Sequence, residues 1–349
     1  MARATLGMVK RIALRIVAAL LITAGAVALG VAAWMAFTQH ARNERETRSA
    51  EQLAAGKGRW IAVGDADLYI QEWGRADAPT VLLTHGTGAW SGTWFALPAA
   101  LAEGGWRVVA VDLPPFGLSK TQRADTAVDY TRAAQARRLL RLIEQLGVPV
   151  TLVGHSFGAG PALEAAVLGG APLRHLVLVD PALGLGPNGE PPSCDNAGEG
   201  GLLQQRPMRT ALVSATATWP GLTALMLRQF VHRKEVVTEQ LVPAYQLPFQ
   251  RAGFSAVLGD WAASFARASC ETALSHEPER LKRWAAGGLP IDLIWGEADT
   301  ITPLAQGRAL QRWMPGALLT TLSDVGHIPH IENPAAFATA LLDAMRRTR

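Results

Sequence analysis

One stretch constrains this chain more than any other: Pro149-Val-Thr-Leu-Val-Gly154-His155-Ser156-Phe157-Gly158-Ala-Gly160. Val150 to Val153 is apolar and mostly β-branched, which reads as a buried strand. An Ala- and Leu-rich segment with helical character follows from about Pro161 to Leu168. A serine in Gly-x-Ser-x-Gly between a strand and a helix sits in the context of a nucleophile elbow, a turn sharp enough to strain the serine backbone and expose its hydroxyl. Gly154 and Gly158 supply the room, because a Cβ at either place would meet the neighbouring strand or helix. The same pattern also arises in ordinary loops, so partners elsewhere in the chain must decide.

Composition sets the bounds. With 349 residues, 49% of them hydrophobic and 18% charged, the chain can build a large α/β core plus an extra element, and it is too apolar for disorder. The net charge of +4 is small, and no basic run interleaves with aromatics, so nucleic acid is not an expected partner. Cys194 and Cys270 stand far apart and form no metal pattern; they could pair in an oxidising compartment or remain two thiols. No phosphate-cradling loop appears, and neither a cofactor nor a metal is expected.

The amino end is basic, with Arg3, Lys10, Arg11 and Arg15 and no acid, and Ile16 to Phe37 carries no charge at all. That run matches the roughly 20 residues needed to cross a hydrocarbon core. Trp34 and Phe37 close it as interfacial aromatics do. A buried core helix would show a polar stripe, and none is visible. Ala26-Val27-Ala28 could be a cleavage site, but the apolar run continues well past it, which favours an uncleaved anchor. The expectation is a single-pass membrane segment, residues 1–38, contacting the bilayer through residues 16–37. The acid-free amino end places the remainder on the extracytoplasmic side. Residues 39–58 read as a charged linker.

The rest of the chain alternates strands and helices. Arg59 to Val63 and Leu68 to Trp73 form a hairpin around Gly64-Asp65, followed by strands at Val81–Thr84 and Val108–Val111. A helix over about Ala127–Leu146, the elbow strand and a strand at Leu176–Val179 come next. After Asp180-Pro181 the rhythm breaks into a loop and then amphipathic helical runs. It resumes at Ile291–Trp295, with a helix over Leu304–Met314, a strand over Leu318–Leu322 and a last helix after Asn333-Pro334. This order predicts a mostly parallel sheet flanked by helices, with the site at its carboxyl edge. The core occupies 59–182 and 289–349, and a helical cap, 183–288, is inserted after the sixth strand.

From about Trp60 onward the chain resembles the α/β-hydrolase family, and more narrowly its capped serine branch. The resemblance is carried by His85-Gly86-Thr87-Gly88, Asp112-Leu-Pro114-Pro115-Phe116-Gly117-Leu118-Ser119, the elbow, Gly296-Glu-Ala-Asp299, and Gly326-His327 with His330, Glu332 and Pro334 behind it. Pro115 departs from the family's usual glycine. The resemblance implies that Ser156 is the nucleophile and His327 its base, with Asp299 as the acid that fixes the imidazole. Asp180, which also ends a strand, is the alternative acid, Asp324 shapes the histidine loop, and His85 is structural. Backbone N–H groups of Phe157 and Thr87 would form the oxyanion hole.

A serine at the elbow argues against the dehalogenase and epoxide hydrolase relatives, which attack with aspartate. The expected activity is membrane-anchored hydrolysis of carboxylic esters, small and hydrophobic, with lipid-derived ones such as monoacylglycerols included. C–C bond hydrolysis, thioester or amide hydrolysis on the same triad, and an inactive binding module are the alternatives. The cap should select the acyl chain, with Leu225, Met226, Phe230, Phe254 and Trp261 as candidate lining residues.

Overall fold

The computed structural model describes residues 2–121, 128–191, 205–268 and 273–348. Cys194 and Cys270 lie outside the described residues, so their pairing is not addressed. A helix α1 (Ala2–Arg45) and a short helix α2 (Ala50–Ala54) precede the sheet. The sheet strands are β1 (Arg59–Ala62), β2 (Ala66–Trp73), β3 (Thr80–Thr84), β4 (Arg107–Val111), the two-residue β5 (Lys120–Thr121), β6 (Val150–His155), β7 (Leu173–Val179), β8 (Ile291–Gly296) and β9 (Leu318–Leu322). Their order is β1-β2-β4-β3-β6-β7-β8-β9, with β5 beside β2. β1, β2 and β4 pair antiparallel, and from β4 to β9 every neighbour is parallel. The sheet is therefore mostly parallel, as the strand–helix rhythm predicts.

Strand periodicity sends alternate residues to opposite faces. Leu82 and Leu152 belong to one buried cluster, and Val81, Leu83 and Val153 belong to the other. On the first face pack α4 (Arg132–Leu146), α5 (Ala159–Leu168) and α11 (Leu304–Trp313), and on the second α3 (Leu97–Glu103) and α13 (Pro334–Arg346). Helix α4 begins later than its apolar pattern suggests. Thr131 is the reason: its side chain accepts the N–H of Ala134 and caps the helix there.

Between β7 and β8 lie α6 (Arg206–Ala215), α7 (Pro220–Phe230), α8 (Val242–Gln246), α9 (Phe254–Ala268) and α10 (Pro278–Ala285). A short helix α12 (Pro329–Glu332) follows β9. The insertion is tied to the core by the Arg251 guanidinium, which is buried and donates to the carbonyls of Pro115 and Ser119.

Residues 39–58, read from the sequence as a charged linker, are largely helical and touch the insertion. The first helix continues through Arg45, past the apolar run, because Gln39, Ala41, Arg42, Glu44 and Arg45 are good helix formers. The chain then docks on the insertion: Arg45 donates to the carbonyl of Phe249, Glu46 accepts from Ser255, the Arg48 N–H donates to the carbonyl of Gln250, and the Ala252 N–H donates to the carbonyl of Arg48. Trp34 and Phe37 stack edge-on against Trp219, with ring centroids 5.2 and 5.7 Å away. Upstream of this contact, Leu14 to Ala33 is exposed throughout, so this helix holds an exposed apolar segment long enough to cross a membrane.

Candidate active site

Ser156 follows directly on β6 with φ +51°, a conformation that a residue with a side chain rarely adopts. Two glycines permit it. A Cβ on Gly154 would lie 2.6 Å from the Cα of Ala159, and one on Gly158 would lie 2.5 Å from the carbonyl oxygen of His85. The first 3₁₀ turn after β6 and then α5 can therefore press against β6 and the loop after β3, lifting the serine hydroxyl above the carboxyl edge of the sheet.

His327 lies on the loop between β9 and α12, and Asp299 on the loop after β8. The Ser156 hydroxyl donates to His327 Nε2 at 2.8 Å, and His327 Nδ1–H donates to Asp299 Oδ2 at 2.7 Å. All three side chains are buried. Asp299 is held by more than the imidazole: Thr302 Oγ1 donates to Oδ2 at 2.6 Å, and the backbone N–H groups of Ile301 and Thr302 donate to Oδ1. Burial pushes Asp299 up, but the hydrogen bond and charge of His327, with the Thr302 donors, outweigh it and hold the carboxyl below its ordinary value. A carboxylate kept ionised here fixes one tautomer of the imidazole, the one that leaves Nε2 free to take the serine proton.

Asp180, the alternative acid, ends β7 and is fully buried. Its Oδ1 accepts the N–H of Gly296 at 2.9 Å and does not reach His327. Burial, then the charge of Asp299, pushes its pKa well above the ordinary range. Asp324 also stays out of the relay: it is exposed and faces His232 at 3.2 Å.

The oxyanion candidates flank the serine. Phe157 follows it in the elbow, and Thr87 lines the same pocket as Ser156. Gly86 lets the second loop come close, since a Cβ there would be 3.2 Å from that of Ser156. His85 behaves as a structural residue. Its Nδ1–H donates to the carbonyl of Gly86, its Nε2 accepts the N–H of Leu113, and burial lowers it to about 4.

Above the serine the insertion supplies an apolar wall. Of the five cap residues expected there, Met226 and Phe230 line the pocket. They are one helical turn apart on α7, so they share a face. Leu225 does not line it; it is 55% exposed, on the other side of that helix. Phe254 and Trp261 do not line it either. Phe254 stacks on Phe249, and Trp261 packs edge-on against Phe116 and Phe157, because the core loop already occupies the apolar face of α9. Leu227, Tyr245 and Phe249 complete the wall. The last two sit on a five-residue helix and the turn after it, too short for any periodic signal.

Two further residues bind this assembly together. The His155 Nε2–H donates to the carbonyl of His327 at 2.8 Å, so the elbow itself tethers the histidine loop. Glu332 is buried and accepts four backbone N–H groups: Gly326 and Ile328, on either side of His327, and His232 and Arg233, just after α7. The N–H of His327 in turn donates to the carbonyl of Phe230. One carboxylate thus fixes the histidine loop and the end of the pocket wall together. Glu332 stands within the Gly-His…Glu-x-Pro pattern of the sequence, but its partners are backbone groups, to which side-chain patterns are blind.

Residues 81–340 match a family model described as the alpha/beta hydrolase family. The chain belongs to the alpha/beta hydrolase family. Among its hydrolase relatives, an uncharacterised hydrolase, YugF, of Bacillus subtilis is 26% identical over 302 residues, covering 82% of this chain and 97% of the relative. A 2-hydroxymuconate semialdehyde hydrolase of Pseudomonas putida is 26% identical, covering 74% of this chain and 83% of that one. The crystal structure of a membrane phospholipase A shares the fold with a TM-score of 0.62 at 21% identity, covering 97% of this chain and 99% of the other.

In this hydrolase Glu332→Gln places an amide among four N–H donors. Loss of charge-assisted bonds of this kind should lower the unfolding free energy by about 3 kcal/mol or more, measured by denaturant titration; a loss below about 1 kcal/mol would show that the loops hold without it.

A pH dependence also follows. Burial, then the charge of neighbouring His327, lowers His330 to about 3. The unfolded chain binds a proton there below roughly pH 6.5 and the folded chain does not, so the stability this residue contributes is intact above that pH and falls as the pH drops. His330→Gln should reduce the loss of stability between pH 7 and pH 5 by about 2 kcal/mol relative to the parent. Identical pH profiles in the two proteins would contradict the neutral assignment.

Proposed function

We propose that the protein is a membrane-anchored serine hydrolase that cleaves carboxylic esters, with lipid-derived esters as the substrate class. The observation that carries the reading is the relay from Ser156 through His327 to Asp299 on the floor of an apolar pocket. A serine hydroxyl needs an adjacent base to become a nucleophile. His327 Nε2 takes the hydroxyl proton as Oγ attacks the ester carbonyl, while Asp299 stabilises the imidazolium. The N–H groups of Phe157 and Thr87 receive the developing oxyanion. His327 then returns the proton to the departing alkoxide, leaving an acyl-Ser156 ester. In the second half water attacks this ester with His327 as base, and the acid leaves as Ser156 Oγ regains its proton.

The pocket wall favours a neutral, apolar acyl chain, since no arginine or lysine lines it among the described residues. That argues against a carboxylate substrate like that of the Pseudomonas relative, and so against the C–C bond reading. Support for a lipid ester comes from the exposed apolar helix, which would keep the site beside a bilayer. The likeness over almost the whole chain to a membrane phospholipase A points the same way.

Active-site labelling tests the chemistry. A fluorophosphonate probe should label the protein and fail on Ser156→Ala, and Asp299→Asn should lower turnover of p-nitrophenyl butyrate by about 10⁴, whereas Asp180→Asn should leave the pH-7 rate within about tenfold of the parent. Labelling that survives Ser156→Ala would remove the nucleophile from this reading.

Anchoring is tested separately. Burial of about twenty apolar residues is effectively irreversible, so the full chain should stay with membranes through a carbonate wash. Release into the supernatant, or a mature amino terminus near Ala28, would make the segment a signal peptide instead.

A further inference from the structure

A second cleft lies away from the pocket and shares no lining residue with it. It has a volume of about 490 Å³ and runs between the end of α1, which contributes Gln39, Arg42 and Asn43, with Glu46 just beyond it, and the first turns of α6, with Arg206 and Thr210. The start of α9 closes its floor. Its depth relative to the apolar run is fixed by helix geometry. Arg42 is five residues beyond Phe37 on a continuous helix, hence about 7 Å farther along the axis. That is the thickness of one headgroup layer beside a hydrocarbon core.

The charge there is positive. Arg42 and Arg206 stand on opposite walls, with Arg45 and Arg209 beside them. Against these four stand two acids. Asp260 is engaged by Arg206 at 2.9 Å and by Arg209. Glu46 is turned towards Ser255, which donates to it from both backbone and side chain. Glu44 is exposed, pairs with His40 and is not part of the wall. Arg42 touches only the side-chain oxygen of neighbouring Asn43 and makes no salt bridge among the described residues. The cleft thus brings together two guanidinium groups, Arg42 outside any salt bridge among the described residues and Arg206 shared with Asp260, and guanidinium is the side-chain group best suited to phosphate oxygens. Gln39, Asn43 and Thr210 offer neutral hydrogen-bonding groups around it.

We infer that this cleft is a headgroup site that holds the phosphate of a bilayer phospholipid between Arg42 and Arg206. The inference rests on the anchoring reading, since the depth argument needs α1 to span. It assigns the cleft a task distinct from hydrolysis. A lipid bound there would join the end of the anchor to α6, and so fix how the insertion, with its pocket wall on α7, sits on the membrane surface. The shared chemistry is a phosphate oxygen cluster, and the position at headgroup depth selects the lipid over free phosphate.

The test uses the full chain carrying Ser156→Ala in dodecyl maltoside, so that no probe is consumed. It is titrated with dihexanoyl phosphatidylglycerol, with phosphate-free dihexanoylglycerol, and with inorganic phosphate, following intrinsic fluorescence. The phospholipid should bind saturably and more tightly than either control. Each arginine at a membrane surface contributes about a fivefold factor, so Arg42→Ala should weaken binding about fivefold and Arg42→Glu further. Arg206→Lys keeps the charge and the Asp260 pairing and should retain most of the affinity. In the active enzyme Arg42→Glu should leave p-nitrophenyl acetate hydrolysis unchanged. Equal affinity for dihexanoylglycerol, or affinity untouched by Arg42→Glu, overturns the site; equal affinity for inorganic phosphate overturns the lipid assignment. Amino-terminal sequencing of the membrane-extracted protein separates the two readings. An intact terminus without binding removes only the cleft proposal, whereas a terminus near Ala28 removes the anchor and the cleft together.

Discussion

The left-handed backbone of Ser156 is the constraint around which the rest is arranged. It is tolerable only because α5 returns hard against β6, and α5 can do so only because positions 154 and 158 have no Cβ. Strain of this kind persists where the surroundings over-determine it. Here they include the buried strand, the close approach of Gly86 on the neighbouring loop, and the hydrogen bond from the Gly158 N–H to the carbonyl of His85. A single turn therefore settles both the packing of the central helix and the placing of the Ser156 hydroxyl beside His327.

The histidine must arrive from a segment 171 residues farther along the chain, and the structure holds it from three sides. Asp299 fixes the ring, His155 fixes the carbonyl, and Glu332 fixes the N–H groups before and after it. Because Glu332 also binds His232 and Arg233, just beyond the end of α7, the pocket wall and the histidine loop share one support. Burial lowers the pKa of the surrounding His155 and His330 imidazoles and so favours their neutral forms beside His327.

The amino-terminal helix extends this coupling outward. Leu14 to Ala33 is exposed, and at Trp34 aromatic contact begins with Trp219, the residue before α7. Arg45, Glu46 and Arg48 then bond the insertion directly. The element that bears the pocket wall is thus also the element on which the helix docks. On the proposed reading, the membrane orients the pocket through rigid contacts and not through a tether.

Much of the sheet was legible in the sequence, because β-branched apolar runs and the turns between them report local preference directly. The elbow and the existence of a helical insertion were legible for the same reason, since each depends on a short motif or on periodicity, whereas the pairing of Ser156 with His327 and Asp299 was implied only by the family resemblance. What the sequence could not decide depends on partners distant along the chain. Leu225, Phe254 and Trp261 carry the same apolar signal as Met226 and Phe230, and only the packing of α7 and α9 sorts pocket from core and surface. The choice between Asp299 and Asp180 rests on which strand end faces the imidazole. The docking of residues 39–58 could not be read from their charged composition, since Phe249, Gln250 and Ser255, which receive Arg45, Arg48 and Glu46, lie more than two hundred residues away. Local sequence determined which elements form; tertiary contact alone decided what each of them touches.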